Sequence, residues 1–145
     1  MTEEELAAVV GWRLPGGEYI IEPYVDWLLN DVVGAPVDGH WAHPLFAYLA
    51  TARGKGITWD EVFEICGATA ADGPMFGEHE TELLRPLKVG EKVTVSGRFT
   101  SAERKKGRRA GVFDIVAFEV ELRGADGAVA ARTRNSIVFP RRAAA

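Results

Sequence analysis

The sequence predicts an α+β fold in which an antiparallel sheet closes over one buried helix, and three observations carry that prediction. Apolar residues recur at three and four before Gly77 and at two after it, so helices come first and strands last. The segment Leu45-Phe46-Ala47-Tyr48-Leu49-Ala50-Thr51-Ala52, opened by Pro44, is apolar almost all the way round and must be buried on most sides. Gly124-Ala125-Asp126-Gly127 is a turn signal between two strand runs, which makes the late strands an antiparallel meander. A curved antiparallel sheet wrapped around the apolar helix satisfies all three.

The elements follow in order. Thr2 and Glu5 have capping-box spacing ahead of Leu6 to Val10, which predicts a short first helix. Gly16-Gly17 breaks the chain, and Glu18 to Glu22 reads as a short strand through Tyr19, Ile20 and Ile21. Pro23 opens a second helix, where Val25, Leu28, Leu29 and Val32 recur at helical spacing to Val33. Gly34 to Ala42 is a loop, and the apolar helix after it stops at Gly54 and Gly56. A second capping box, Thr58 and Glu61, opens a helix to about Cys66 with Trp59, Val62, Phe63 and Cys66 on one face. Lys92 to Phe99 alternates as a half-buried strand. Val112 to Leu122 reads as a long strand at the sheet centre, Ala128 to Phe139 as its return, and Arg141 to Ala145 as a frayed end.

No break in composition divides the 145 residues, so one domain is expected over residues 1–145, with its core at about 15–139. The net charge of -4 and pI near 5.4 argue against a nucleic-acid-binding face. Cys66 is the lone cysteine; it cannot form an internal disulfide and reads as a small buried hydrophobe suited to a reducing compartment. The acidic start Met1-Thr2-Glu3-Glu4-Glu5 lacks the basic and apolar regions of a secretory signal. No stretch reaches the roughly 18 apolar residues of a membrane span. A soluble, cytoplasmic protein is expected. Asp38, His40 and His43 offer metal-ligand types without an established spacing, and no phosphate loop or Ser- or Cys-centred nucleophile motif occurs. No metal or cofactor is therefore expected.

Four pieces of the chain together resemble a known family. They are Ala42-His43-Pro44-Leu45-Phe46; Gly73-Pro74-Met75-Phe76-Gly77-Glu78 running into Leu83-Leu84-Arg85-Pro86-Leu87 and Gly90-Glu91-Lys92-Val93; Glu103-Arg104-Lys105-Lys106-Gly107; and the closing strand after Asp126-Gly127. Their order and spacing, over residues 15–139, resemble the N-terminal, motif-lacking half of MaoC-like dehydratases and (R)-specific enoyl-CoA hydratases. The resemblance implies a hot-dog fold. It also implies hydration of a trans-2-enoyl thioester, or dehydration of a 3-hydroxyacyl thioester, carried on coenzyme A or acyl carrier protein. In the catalytic half of that family the chemistry belongs to an Asp and a His in a Gly-Asp-x-Asn-Pro-x-His segment. Here the corresponding stretch is Leu29-Asn30-Asp31-Val32-Val33-Gly34-Ala35-Pro36, with Pro36 where that His would stand. Phe76 occupies the position before Gly-Glu that often holds a His in the family's N-terminal half.

Hydration needs a base to hold water, an acid for the α-carbon and donors for the thioester oxygen. The available candidates are Asp38 and His43, which share the five-residue offset of the hydratase pair, and His79. The alternatives are a loop Asp, a helix-opening His and a polar residue on a sheet face whose neighbours Glu78 and Glu80 point the other way. Phe46, Leu49, Phe76 and Gly77 are the candidate acyl-chain contacts. Arg85, Lys105, Lys106 and Arg108 are candidates for coenzyme A phosphates or an acidic carrier protein, Arg104 and Arg109 adding to that basic run. An uncovered sheet edge invites pairing, so a dimer is expected, with a motif-bearing hot-dog partner or with a second copy. Three functions fit: a hydratase subunit whose partner supplies Asp and His, a stand-alone hot-dog hydratase or thioesterase, and a non-enzymatic acyl-thioester-binding protein.

Overall fold

A computed structural model describes residues 1–141. In chain order the elements are α1 (Glu3–Ala8), β1 (Gly17–Ile20), α2 (Pro23–Val33), α3 (Phe46–Gly54), α4 (Trp59–Ile65), a 3-10 turn (Ala70–Asp72), β2 (Met75–Leu83), β3 (Lys92–Gly107), β4 (Gly111–Arg123) and β5 (Val129–Arg141). Both capping boxes form: Thr2 and Glu5 close α1, and Thr58 and Glu61 close α4. Each satisfies two backbone donors that a helix start otherwise leaves open, worth roughly 1 kcal/mol for the cap.

The strands form one sheet in the order β1-β3-β4-β5-β2, and every neighbouring pair is antiparallel. Strand β4 is central, as its apolar content predicts. Helix α3 lies on the concave face and contacts all five strands. It buries Phe46, Ala47, Ala50, Thr51 and Gly54, and a Cβ on Gly54 would collide with Val95. Around it pack Val93, Val95 and Phe99 of β3, Val116, Phe118, Val120 and Leu122 of β4, and Ile137 and Phe139 of β5. This is the curved sheet around a buried helix that the hot-dog resemblance implies.

Two boundaries differ from the expectation. Glu103 to Gly107 is part of β3, not a connection: Gly107 pairs with Gly111, and only residues 108–110 turn the hairpin. Gly111 has φ +69°, a left-handed conformation that glycine adopts without steric cost at such a hairpin. Arg141 is not frayed, because β5 carries it to a buried carboxylate, Asp114; residues 142–145 of the expected loose end lie outside the described residues.

Helix α2 turns most of its apolar content outward, with only Val25 and Leu29 packed half-buried against the core. Its buried side chains are Asp26 and Asn30, whereas Tyr24, Trp27, Leu28, Val32 and Val33 stay exposed, Val32 at 81%. Asn30 donates from Nδ2 to the Asp26 carbonyl at 2.8 Å, and Asp26 Oδ1 accepts from the His43 backbone N–H at 2.8 Å. The inward face of α2 therefore anchors the loop that leads into α3. Among the described residues no helix is long and apolar enough to cross a membrane.

Candidate functional site

Strand β2 is an edge strand that changes face partway along. Phe76 pairs with Ile137 and His79 with Asn135, leaving Gly77 and Glu78 together opposite Ser136. The Ser136 hydroxyl accepts from the Glu78 backbone N–H at 2.8 Å, and a Cβ on Gly77 would lie 2.6 Å from that oxygen. Glycine thus permits the bulge. In a regular strand residues three apart point to opposite faces. The bulge instead brings Phe76 and His79 to the same concave face as α3.

There Phe76 stands edge-on to Tyr48 and Trp59, with ring centroids 6.4 and 6.0 Å away. Tyr48, Trp59, Phe63, Met75, Phe76 and Ile137 line an apolar cavity of about 230 Å³ beside the sheet edge. Of the four expected acyl contacts, Phe76 lines this cavity, and Gly77 forms the bulge next to it without lining it. Phe46 lies in the core, fully buried, with the Tyr19 ring 6.4 Å away. Leu49 is half-buried against the same core.

His79 ends a directed chain of polar side chains. Thr51 Oγ1 donates to the Ala47 carbonyl at 2.8 Å and so accepts from Thr133 Oγ1 at 3.1 Å. Thr133 in turn accepts from Asn135 Nδ2 at 3.3 Å. That orientation leaves Asn135 Oδ1 to accept from His79 Nδ1, 2.7 Å away. His79 Nε2 meets the Thr81 hydroxyl at 2.8 Å, and the imidazole stands edge-on to Tyr48 at 5.1 Å. The chain links α3, β5 and β2 and leaves no buried side-chain polar atom without a partner among the described residues.

Asp38 and His43 are not joined. Asp38 Oδ1 accepts from the backbone N–H groups of Trp41 and His40, at 2.7 Å each, and these bonds hold its carboxyl below the usual range. His43 Nδ1 accepts from the Leu45 N–H at 3.1 Å. The first amides of α3, at Phe46 and Ala47, donate to the carbonyls of His43 and Pro44. The start of α3 is therefore engaged by its own chain and presents no free pair of donors to an oxyanion. Among the described residues no imidazole ring is hydrogen-bonded or ion-paired to a carboxylate.

The basic candidates divide between the two ends of β3. Arg85 forms a two-pronged ion pair with Glu91, one prong at 3.1 Å, and this bond holds the Glu91 carboxyl below its usual range. The pair borders a hollow of about 1160 Å³ that also takes in Trp41, Lys88 and Arg123. Lys105, paired with Glu103 at 3.1 Å, and Lys106 and Arg108 lie exposed near the far hairpin. A sixteen-residue strand separates the two groups, on the order of 50 Å if fully extended. Arg104 does not belong to the exposed cluster: its guanidinium reaches Asp114 at 2.7 Å. Thr133 and Asn135 were legible as inward residues of an alternating strand, but their connection to His79 depends on a bulge that alternation does not reveal.

The family model described as FAS1-like, dehydratase domain region, matches residues 42–133. No curated protein matches the chain. One similar solved structure is the ChsH1-ChsH2 complex from Mycobacterium tuberculosis, with TM-score 0.74, 14% identity, and 98% of this chain and 93% of that one covered. Another is the C-terminally truncated HadBC (3R-hydroxyacyl-ACP dehydratase) complex from the same organism, with TM-score 0.68, 14% identity, and coverage of 90% and 96%. A MaoC-like dehydratase from Rhodospirillum rubrum aligns over 99% of both chains at TM-score 0.65 and 18% identity. The chain has the hot-dog fold of MaoC-like dehydratases and belongs to the FAS1-like dehydratase domain family.

Proposed function

We propose that this chain is one subunit of an enoyl-thioester hydratase or 3-hydroxyacyl-thioester dehydratase, lending acyl-chain and carrier contacts while a second hot-dog chain supplies the Asp and His. The observation that carries this reading is the start of α3: its first amides are engaged by His43 and Pro44, and Asp38 is turned away to cap its own loop. Acid, base and oxyanion donors are all needed for the reaction, and the described residues hold no assembled set. The apolar cavity of Tyr48, Trp59 and Phe76 beside the open edge supports an acyl-binding role. The partner reading is supported by similarity to HadBC and ChsH1-ChsH2, both of which are complexes. The exposed Lys105, Lys106 and Arg108 would attract the phosphates of coenzyme A or an acidic carrier protein.

One observation favours a second reading. His79 lies at an exposed edge with Nδ1 held by Asn135 and Nε2 against the Thr81 hydroxyl, and a stand-alone hydratase or thioesterase would use it as a base by displacing that hydroxyl. A hydration assay on a short trans-2-enoyl coenzyme A separates the two. No turnover by the chain alone, and turnover once a motif-bearing hot-dog protein is added, is the expected result. Turnover by the chain alone that disappears in His79→Ala or His43→Ala would overturn it. Tight binding of the thioester with no turnover in either setting would favour an acyl-thioester-binding protein.

A further inference from the structure

The convex face of the sheet, turned away from α3, carries charge that alternates from strand to strand. One row runs Glu80, Arg134, Glu119, Arg98, each directly opposite the next. A second runs Glu82, Arg132, Glu121 and ends on Ser96. Opposite charges that face each other across strands stabilise a sheet, and like charges destabilise it. The first row breaks that rule at its last step. There the chain at Trp12 to Leu14 lies along β3, and Arg13 stands opposite Arg98.

The backbone forces these two arginines together. The Leu14 N–H donates to the Gly97 carbonyl at 2.9 Å, and the Phe99 N–H donates to the Trp12 carbonyl at 3.0 Å. Those bonds flank the Arg13–Arg98 pair, so it is the non-hydrogen-bonded kind, whose side chains stand closest. Buried Leu14 fixes which way Arg13 points. Leu14 sits where Gly97 has no side chain, on the core side of the sheet, and a Cβ there would lie 2.9 Å from Leu14 Cδ1. Neighbours in an extended chain alternate faces, which holds Arg13 on the convex side. Both arginines are exposed, and among the described residues neither guanidinium has an ion-pair or hydrogen-bond partner.

A hollow of about 330 Å³ opens beside them, lined by Arg13, Ser96, Arg98, Glu119, Glu121 and Arg123. Its two carboxylates are already held, Glu119 by Arg134 at 3.1 Å and Glu121 by Arg132 at 2.9 Å and Arg123 at 2.5 Å. The charge of Arg13 and Arg98 is left without a counterpart. Guanidinium forks match the oxygens of a phosphate in two-pronged pairs, and the Ser96 hydroxyl adds a further donor. A dianion between the two arginines would offset their repulsion. The hollow has room for roughly ten water-sized groups, enough for a diphosphate as well as a single phosphate.

We propose that Arg13 and Arg98 form an anion site on the convex face that binds a phosphate or diphosphate group between their guanidiniums. The site is separate from the acyl cavity, from Arg85 and from the far hairpin, and it does not depend on the hydratase reading. Isothermal titration of the full chain with inorganic pyrophosphate tests it, against sodium chloride at matched ionic strength. Saturable binding should appear above the chloride background. Arg13→Gln and Arg98→Gln should each weaken it at least about tenfold, the loss of one charge-assisted contact. Arg53→Gln, which removes an exposed arginine elsewhere, should leave it unchanged.

Thermal melts supply a readout that a purely structural role would move the other way. Without ligand, Arg13→Gln and Arg98→Gln should melt at or above the wild-type temperature, because the like-charge pair is gone. Pyrophosphate should raise the Tm of the wild type and not of either variant. Coenzyme A, titrated in the same way, tells a phosphate carried on a nucleotide from a free one, and arginine-dependent binding of either supports the site. Three results would overturn the proposal: no binding of either above the chloride background, binding that survives both substitutions or falls equally with Arg53→Gln, or variants that melt below the wild type without ligand.

Discussion

Replacing Asp114 with Ala should destabilise the chain by about 3 kcal/mol at neutral pH, the low end of what breaking a buried ion pair costs. The Asp114 side chain is fully buried in the centre of the sheet. It accepts from Arg104 Nε at 2.7 Å and Nη2 at 3.0 Å, and from Arg141 Nε at 2.6 Å. Truncation removes all three charge-assisted bonds and leaves two partly buried cations. The low end applies because each guanidinium keeps another partner: Arg104 donates to the Met1 carbonyl at 3.0 Å, and Arg141 to the carbonyls of Gly67 and Cys66. Urea denaturation followed by tryptophan fluorescence measures the loss, which corresponds to a Tm lower by about 10 °C. The pH dependence is a second check. Burial pushes the Asp114 carboxyl up, but the two guanidiniums outweigh it and hold the group below its ordinary value of 3.8. Its contribution is therefore complete above that value and is lost as pH falls through the lower folded one. The gap between wild type and variant should stay level from about pH 7 to 5 and shrink below about pH 4. A gap under about 1 kcal/mol at neutral pH, or one unchanged in acid, would refute the account of a buried carboxylate held by two cations.

Gly77→Val should cost about 1–3 kcal/mol, because its Cβ meets Ser136 Oγ at 2.6 Å and the bulge must shift; the same substitution should weaken acyl binding, read by titration with a fatty acyl thioester, since it turns Phe76 off the cavity. Changing Lys105, Lys106 and Arg108 to Glu together should raise KM for the thioester in the reconstituted pair, leave kcat near its original value and flatten the salt dependence; an unchanged KM would remove the hairpin from the binding site. The Cys66 thiol is fully buried, and that burial pushes it up to about 12. Iodoacetamide should therefore leave the native chain unlabelled at pH 8 and label it in urea; rapid native labelling would contradict the packing around α4.

What the sequence determined by itself was whatever depends on neighbours in the chain. The capping boxes at Thr2 and Thr58, the period-two alternation of β3 and the turn at Gly124 to Gly127 are local events, set by hydrogen bonds and side-chain directions within a few residues. The all-round apolar character of α3 also showed that the helix must be buried on most sides, which a sheet folded over it achieves, although periodicity by itself does not single out that arrangement. Tertiary structure decided the rest. Helix α2 buries Asp26 and Asn30 and shows most of its apolar residues to the outside, only Val25 and Leu29 packing half-buried against the core, and the buried Asp26 gives the His43 amide its acceptor. Asp114 stands in phase with Val116, Phe118 and Val120, so its inward direction was legible. That two arginines from strands on either side would meet it was not, because Arg104 and Arg141 are distant in sequence and only the β3-β4-β5 register aligns them. The same holds for the candidate site. Alternation placed His79 opposite its glutamate neighbours, but a single extra residue at Gly77 and Glu78 put Phe76 beside it, and a bulge is a property of two strands paired, not of one strand read alone.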